Sequence, residues 1–272
     1  MLARRELPEE YELWNLNWGA PTGRHQFATD MLKRIGTSAR DTVLRNPRVR
    51  RARGPFAFQW NTMTRTYEYP WAYHQLADLG PSRILEIGGA LSGLQFVLAM
   101  DGHEVHNVDP FHDYGSGAYV VDPIREFASL NRSFGTTVEL HPTALPAADL
   151  TGRFSAVVCI STIEHLSPDE IATTLSTVKE LLVPGGLLVL TVDLFLNLMP
   201  FCSRTTNAWG NNISVAWIDE LLGYSMVTGD RRELYGYPEF SSDAILSRLE
   251  EFAVNVDFPQ MAQLVAFRAP EQ

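Results

Sequence analysis

The chain has 272 residues, of which 45% are hydrophobic and 20% charged, and its formal net charge is −10 at pH 7. A chain of this length can bury a substantial core in one or two domains. No apolar run approaches the roughly 20 residues that cross a bilayer, so a membrane-embedded protein is excluded. Two cysteines, Cys159 and Cys202, do not make a disulfide framework, and we expect a cytoplasmic location.

The charge is unevenly distributed along the chain. The first 60 residues hold 11 basic and 6 acidic side chains, whereas the remaining residues hold 11 and 26. An acidic body argues against nucleic acid as the main partner, because phosphate binding needs a broad basic face. The arginine-rich run from Arg45 to Arg53 is the exception. It either docks on the acidic body as a surface helix or loop, or forms a patch that binds a polyanion.

Residues 1–80 predict a mostly helical N-terminal extension that is rich in aromatic side chains and packs on the rest of the chain. Within it, Arg65 begins a run of aromatic residues that ends at Tyr73. Such an arginine can bind a carboxylate, and the aromatic rings can shield a cation. The rival interpretation is an ordinary aromatic cluster that anchors the N-terminal helices.

From Arg83 onward, short apolar runs alternate with helical patterns, which is typical of βαβ units and a parallel sheet. We predict strands at residues 83–87, 104–108, 136–140, 154–160, 187–192, 224–228 and 261–268. Residues 81–272 therefore form the second predicted domain.

Helix signals lie between these predicted strands. Ser167, Pro168 and Glu170 predict a helix start with a capping box, and the Pro-Gly-Gly sequence at 184–186 predicts its end. Further helices are expected at 214–222 and 242–252. The long loops 194–213 and 229–260 are predicted to be lid or insertion segments.

One stretch carries most of the functional information. Residues 83–93 read RILEIGGALSG, so an apolar run leads through Glu86 into a glycine-rich turn, and a helix-like segment follows. The next apolar run ends in Asp109. Such a unit lets the backbone approach a ligand closely, while the acid at the second strand end meets ribose hydroxyls. The stretch therefore predicts a nucleotide-like cofactor.

This arrangement resembles the class I S-adenosylmethionine (SAM) dependent methyltransferases of the small-molecule type. The dehydrogenase spacing G-x-G-x-x-G is absent, whereas Glu86 provides the acid that precedes the first glycine in the methyltransferases. Ala90 and Ser92 stand where that family usually has glycines, with Gly89 and Gly93 nearby. The resemblance covers about residues 83–193. It implies an α/β, Rossmann-like fold with a mostly parallel seven-stranded sheet flanked by helices.

The resemblance also implies SAM as the cofactor and gives roles to residues around the glycine turn. Glu86 would lie near the methionine end of SAM, and Gly88 and Gly89 would let the cofactor approach the backbone. Asp109 would bind the ribose diol, and Arg65 the methionine carboxylate. The alternative for Glu86 and Asp109 is a structural role, in which each carboxylate caps nearby backbone N–H groups.

Two later segments complete the predicted site. Backbone at Thr143 or Ala144 would contact adenine, because the acid that many family members carry after the third strand is missing. At the end of the fourth strand, Ser161 is a candidate cofactor contact, and Glu164 and His165 are the candidate catalytic residues. Ser161 replaces a glutamate that binds metal in ubiquinone-biosynthetic O-methyltransferases, so no metal is expected there. A histidine can accept a hydroxyl proton, or it can simply bond a loop carbonyl.

These patterns favour methyl transfer to a small molecule, at a hydroxyl of a sugar or other bacterial metabolite, and N-methylation stays open. One alternative is an inactive methyltransferase-like binding protein, suggested by Ala90 and Ser92. Another is an RNA or protein methyltransferase that docks through Arg45 to Arg53. We expect a small-molecule partner and no membrane, and a homodimer stays open.

Overall fold

The computed structural model describes residues 1–23, 46–59, 61–111, 122–256 and 258–271. The strands follow the apolar runs of the sequence. In chain order they are β1 (Arg83–Ile87), β2 (Glu104–Val108), β3 (Glu139–His141), β4 (Phe154–Ile160), β5 (Leu182–Phe195), β6 (Thr206–Asn207), β7 (Gly210–Asn211), β8 (Ser225–Thr228) and β9 (Gln260–Arg268).

Seven of these strands form one sheet with the order β3-β2-β1-β4-β5-β9-β8. Strands β1 to β5 pair in parallel, and β9 is antiparallel to both β5 and β8. The predicted α/β fold with a mostly parallel seven-stranded sheet is thus confirmed. Strand β3 is shorter than the predicted 136–140 and shifted toward His141, and β5 begins at Leu182, directly after a helix.

Helices cover the sheet. In chain order they are α1 (Glu9–Trp18), α2 (Pro47–Arg53), α3 (Arg65–Gln75), α4 (Gly93–Met100), α5 (Pro123–Phe134), α6 (Pro168–Leu181), α7 (Val215–Leu222) and α8 (Ser242–Leu246). Short 3₁₀ turns occur at Pro55–Ala57, Leu145–Ala147, Ile163–His165 and Leu249–Glu251. Within the described ranges, no helix has the length and apolar character that a bilayer crossing requires.

The predicted helix signals are mostly confirmed. Ser167 and Glu170 form the capping box of α6, and the Ser214 side chain caps α7. The helix expected over 242–252 is interrupted instead: α8 ends at Leu246, and only a 3₁₀ turn follows. Phe252 leaves the helical path because it pairs with Arg4 in an isolated antiparallel bridge.

Hydrophobic side chains fill both faces of the sheet, because successive strand residues point to opposite sides. On one face, Ile84 lies in a cluster with the buried aromatic residues Trp14, Phe56 and Trp71 of the N-terminal segment. On the other face, Leu85 packs in a second cluster that contains buried residues of α6 and α7. Aromatic residues from the first 80 positions therefore share a core with β1. A domain boundary near residue 80 stays a prediction.

The arginine-rich run packs on the body of the protein. Arg50 is buried and pairs with Glu126 of α5 at 2.5 Å. Arg53 is buried as well, and Arg51 donates from Nε to the carbonyl of Ser133. Arg45 lies outside the described residues. The docking-patch interpretation is thus corrected for Arg50 and Arg53, because burial removes their guanidinium groups from an external partner.

Among the described residues, three that are not glycine have a positive φ: Ala90 at 44°, Phe111 at 52° and Ser161 at 40°. They follow β1, β2 and β4. Side chains with a Cβ rarely adopt this left-handed region, since the Cβ approaches the carbonyl oxygen. Ala90 therefore has a conformation in which glycine would be unstrained.

We predict that Ala90→Gly raises the free energy of unfolding by about 1 kcal/mol, because glycine has no Cβ to strain the left-handed turn. The matched control is Ala99→Gly inside α4, which should lower stability by about 1 kcal/mol through helix propensity. Urea unfolding measures both. Equal losses in the two variants would show that Ala90 is not strained.

Candidate functional site

The parallel register brings four strand ends to one edge of the sheet. Ile87 at the end of β1 lies opposite Val108 of β2 on one side and Cys159 of β4 on the other. Ile160 of β4 lies opposite Thr191 of β5. Ligands of open α/β sheets bind at this carboxyl edge. The residues that follow each strand are therefore the candidates for a site.

The glycine turn after β1 has no room for side chains. Gly88 has φ +70°, and a Cβ there would lie 2.3 Å from the Thr162 side chain. At Gly89 a Cβ would lie 2.8 Å from Cδ of Glu86. The turn thus packs closely against β4 and its own strand.

Glu86 is buried behind this turn. Its Oε1 accepts a hydrogen bond of 2.8 Å from the Ser92 hydroxyl, whereas its Oε2 has no hydrogen-bond partner among the described residues. Burial raises the pKa of Glu86 to about 7, the Ser92 hydrogen bond opposes this shift, and the charge of Asp109 adds to it. Ser92, one of the departures from the glycine pattern, therefore supports Glu86 directly.

Asp109 joins the loops that follow β1 and β2. Its Oδ2 accepts the backbone N–H of Ala90 at 2.8 Å, and its Oδ1 accepts that of Phe111 at 2.7 Å. These are the capping contacts of the structural interpretation. Both contacts come from backbone N–H groups of the two loops, so the carboxylate links the residues that follow β1 and β2.

Polar residues missed in the sequence hold the same turn. Asn107 accepts the Gly89 N–H at 3.2 Å and donates to the Ala90 carbonyl at 3.0 Å. The Gln95 amide donates to the same carbonyl, and Gln59 accepts the backbone N–H of the residue after Ala90. Gln95 interrupts an otherwise apolar helix, and this buried amide was the available signal, whereas Asn107 lies in a strand that also holds Glu104 and His106.

A second group of polar side chains lies at the ends of β4 and β5. Arg65 donates from Nη1 to Glu68 at 2.5 Å and to the Ser161 hydroxyl at 2.6 Å. Glu68 also accepts from Ser161 and from Thr191, at 2.8 and 2.5 Å. Oγ of Ser161 lies 2.9 Å from Oδ1 of Asp193. Arg65 and Ser161 are thus together, but they are joined by Glu68, Thr191 and Asp193, which sequence reasoning missed.

The protons of this group can be assigned from its charges. Burial opposes the charged form of Glu68, but Arg65 and the hydrogen bonds of Thr191 and Ser161 outweigh it and lower the pKa of Glu68. Burial, followed by the charge of Glu164, raises the pKa of Asp193 well above its usual range. Ser161 has a single hydroxyl proton, which it donates to ionised Glu68. The hydrogen bond between Ser161 and Asp193 opposes the rise in the pKa of Asp193.

Glu164 and His165 lie on the 3₁₀ turn that follows β4, in opposite environments. Glu164 is completely buried beside Asp193, and burial raises its pKa to about 7, while a hydrogen bond with Asp193 opposes this rise. His165 is exposed, so it is not part of the buried group. The short β6–β7 hairpin covers this turn, since a Cβ on Gly210 would lie 2.6 Å from the Glu164 carbonyl and 3.6 Å from Nδ1 of His165.

Thr143 and Ala144 lie beside Asp109 at the end of β3. The backbone N–H groups of Thr143 and Asp109 both donate to the carbonyl of His141, at 2.8 and 3.1 Å. Thr143 is half-buried and Ala144 is exposed. Their backbone is therefore at the same edge as the glycine turn.

No protein-family model matches the sequence, and no curated protein matches it significantly. Solved structures do match. The N-methyltransferase NodS from Bradyrhizobium japonicum WM9, in complex with S-adenosyl-L-homocysteine (SAH), has a TM-score of 0.51 at 16% identity, over 78% of this chain and 90% of that chain. A SAM-dependent methyltransferase from Clostridium acetobutylicum ATCC 824 has a TM-score of 0.52 at 9% identity, over 78% and 93%.

A third match covers almost the whole chain. The 1,6-didemethyltoxoflavin-N1-methyltransferase of Burkholderia thailandensis, solved with its substrate and SAH, has a TM-score of 0.50 at 18% identity over 99% of this chain and 95% of that chain. Identities this low establish the fold alone. The chain has the fold of the class I SAM-dependent methyltransferases.

Proposed function

We propose that this protein is a SAM-dependent methyltransferase that acts on a small molecule, at a hydroxyl of a sugar or other bacterial metabolite. The observation that carries the proposal is the placement of Asp109 and buried Glu86 on either side of the side-chain-free turn at Gly88 and Gly89. On this fold, that edge is where a nucleotide-like ligand is bound.

The residues at the edge fit SAM. Within the described part of the chain, Oε2 of Glu86 is a buried acceptor without a hydrogen-bond partner, and a donor group at the methionine end of SAM can pair with it. The turn at Gly88 and Gly89 presents backbone without side chains, and Asp109 lies at the end of the second strand, where this kind of fold binds ribose hydroxyls. SAM supplies an electrophilic methyl group, so the protein has mainly to bind, orient and exclude water.

Ala90 and Ser92 support this proposal over an inactive binding protein. Ala90 adopts the left-handed conformation of a glycine, and Ser92 donates to the carboxylate of Glu86. The turn therefore has an ordered geometry without the usual glycines. Arg65 is proposed to bind the methionine carboxylate through N–H groups other than those of Nη1, since a guanidinium has five donors.

For the acceptor side, we propose His165 as the general base and Glu164 as a buried acid that positions its turn. His165 is exposed beside the hairpin at Gly210, where a small hydroxylated molecule can approach it. Thr143 and Ala144 are proposed to contact adenine through their backbone, because both adjoin Asp109. Ser161 then lines the cofactor site from the β4 side.

The ribose role of Asp109 predicts a loss of affinity. Asp109→Asn should weaken SAH binding about ten- to a hundredfold, because hydrogen bonds to a charged acceptor contribute about 1.5–3 kcal/mol. Isothermal titration calorimetry measures the dissociation constant, and Asp78→Asn, an exposed position after α3, is the control. No saturable binding of SAH to the unmodified protein at millimolar concentration would contradict the proposed function itself.

A ligand without ribose hydroxyls distinguishes a direct contact between Asp109 and the ribose from an indirect effect of Asp109 on the shape of the loops. If Asp109 acts on the ribose, Asp109→Asn should barely change the affinity for an SAH analogue that lacks both hydroxyls. An equal loss for both ligands would assign Asp109 to the loops alone.

The base role predicts a defect in turnover without a defect in binding. We expect His165→Ala to lower methyl transfer about a hundredfold or more, the range of general-base catalysis, while the SAH affinity is unchanged. The assay incubates the protein with labelled SAM and fractionated bacterial metabolites and follows the product that gains label. Normal turnover in His165→Ala would remove this residue from the base role.

The raised pKa of Glu164 predicts a dependence of stability on pH. Its pKa is about 7 in the folded chain and near 4.5 when unfolded, so stability is lost as the pH rises from about 4.5 to about 7, and this contribution changes little at higher pH. Glu164→Gln keeps an uncharged side chain and should lose less stability between pH 5 and 8, by an amount on the order of 1–3 kcal/mol. Urea unfolding across this range tests it, with exposed Glu180→Gln as the control. Parallel curves for all three proteins would contradict the prediction.

A further inference from the structure

A cluster of two histidines and a glutamate lies on the outer strands β2 and β3, apart from the groups used above. His106 of β2 lies opposite Glu139 of β3 in the parallel register, and Val108 lies opposite His141. Alternate residues of a strand share a face, so the side chains of His106, Glu139 and His141 meet on one side of the sheet.

The potential ligand atoms face a common centre. Nδ1 of His106 lies 3.1 Å from Nε2 of His141, and the Glu139 carboxylate lies 3.6 Å from the first nitrogen and 3.5 Å from the second. Around a tetrahedral zinc ion with bonds of about 2.0–2.2 Å, neighbouring ligand atoms lie roughly 3.3–3.6 Å apart. The two separations that involve Glu139 therefore match a shared metal ion, and the 3.1 Å between the two ring nitrogens is slightly shorter than this range.

Hydrogen bonding alone does not account for Glu139. A contact of 3.5–3.6 Å is beyond the usual range of hydrogen bonds, yet the carboxylate lies beside both rings. The 3.1 Å contact between His106 and His141 can be a simple hydrogen bond. A metal ion would hold all three groups at once, whereas in its absence the contacts of Glu139 are ion pairs that need a protonated imidazole.

The residues around His106 orient its ring so that it can act as a metal ligand. Its Nε2 lies 3.0 Å from Oε1 of Glu104, and that carboxylate is held by Nε of Arg83 at 2.7 Å. When Nδ1 binds a metal, Nε2 carries the proton and donates it to Glu104, the common carboxylate–histidine–metal arrangement. Nη2 of Arg83 lies 3.0 Å from the same Nε2, so in the metal-free chain Arg83 can donate there instead. Metal binding then selects one tautomer of His106.

We propose that His106, Glu139 and His141 bind a divalent transition metal ion of the zinc class. The donor set of two imidazoles and one carboxylate is one that zinc accepts. The side chains of His106 and His141 are 6% and 13% exposed, whereas that of Glu139 is 62% exposed. The ion is therefore held from the buried side, and a fourth coordination position faces solvent beside Glu139.

The test uses protein without a histidine tag, freed of metal by a chelator. Titration with Co²⁺, followed by its visible ligand-field absorption, should show one equivalent bound in tetrahedral geometry, and Zn²⁺ should displace it. Glu104→Gln should weaken Co²⁺ binding about tenfold, since it replaces the charged acceptor of the His106 proton by a neutral amide. His141→Ala and Glu139→Gln remove ligands and should weaken binding more than this.

The matched control is Glu180→Gln, an exposed carboxylate on α6, which should bind Co²⁺ like the unmodified chain. Circular dichroism and unfolding curves of the metal-free variants establish that each is folded, and both altered ligands lie on the edge strand β3. Absence of stoichiometric Co²⁺ and Zn²⁺ binding to the unmodified chain would overturn the proposal and leave only a histidine pair. So would binding that folded His141→Ala and Glu139→Gln retain in full.

Discussion

The carboxylate of Asp109 is the contact on which the carboxyl edge of the sheet depends. It accepts backbone N–H groups from Ala90 after β1 and from Phe111 after β2, and both of these residues have a left-handed backbone. A residue in that region costs on the order of 1–3 kcal/mol, and a hydrogen bond to a charged acceptor contributes about 1.5–3 kcal/mol. One side chain thus offsets much of the strain in two loops. These contacts also fix the shape of the glycine turn, because Ala90 directly follows Gly88 and Gly89.

Burial of carboxyl groups gives this edge a charge that responds to its ligand. Glu86, Glu164 and Asp193 each have a raised pKa with burial as the main cause. An opposite charge favours the ionised form of an acid, so a cationic ligand here would lower these pKa values and release protons. If the proposed cofactor binds, its sulfonium and amine provide that positive charge. Within the protein, the positive charge of Arg65 has this effect on Glu68, because it lowers the pKa of that carboxyl group.

The sequence was sufficient for the seven strands of the main sheet, apart from the bounds of β3 and β5, and for the edge at which Gly88 and Asp109 meet, because these follow from local periodicity and turn chemistry. It could not reveal that Glu68 joins Ser161 and Thr191, since those contacts span 93 and 123 residues and depend on how α3 packs. The sequence also could not show that Glu164 is buried and His165 is exposed, because the two residues are adjacent in the chain. The left-handed turn at Ala90 was hidden for a related reason: local propensity favours glycine there, and contacts from Asp109 and Asn107 override it.

The same register that builds the carboxyl edge also places His106 beside β3. That strand has three residues and a single neighbour, so its pairing with β2 gives it few contacts of its own. His141 nevertheless has two tasks, because its ring meets His106 while its carbonyl accepts the N–H groups of Asp109 and Thr143. Fixing the ring of His141 therefore also fixes the peptide that aligns Asp109. A metal ion held by the two imidazoles and Glu139 would fix the position of β3, which is the strand that the sheet itself holds through the fewest contacts.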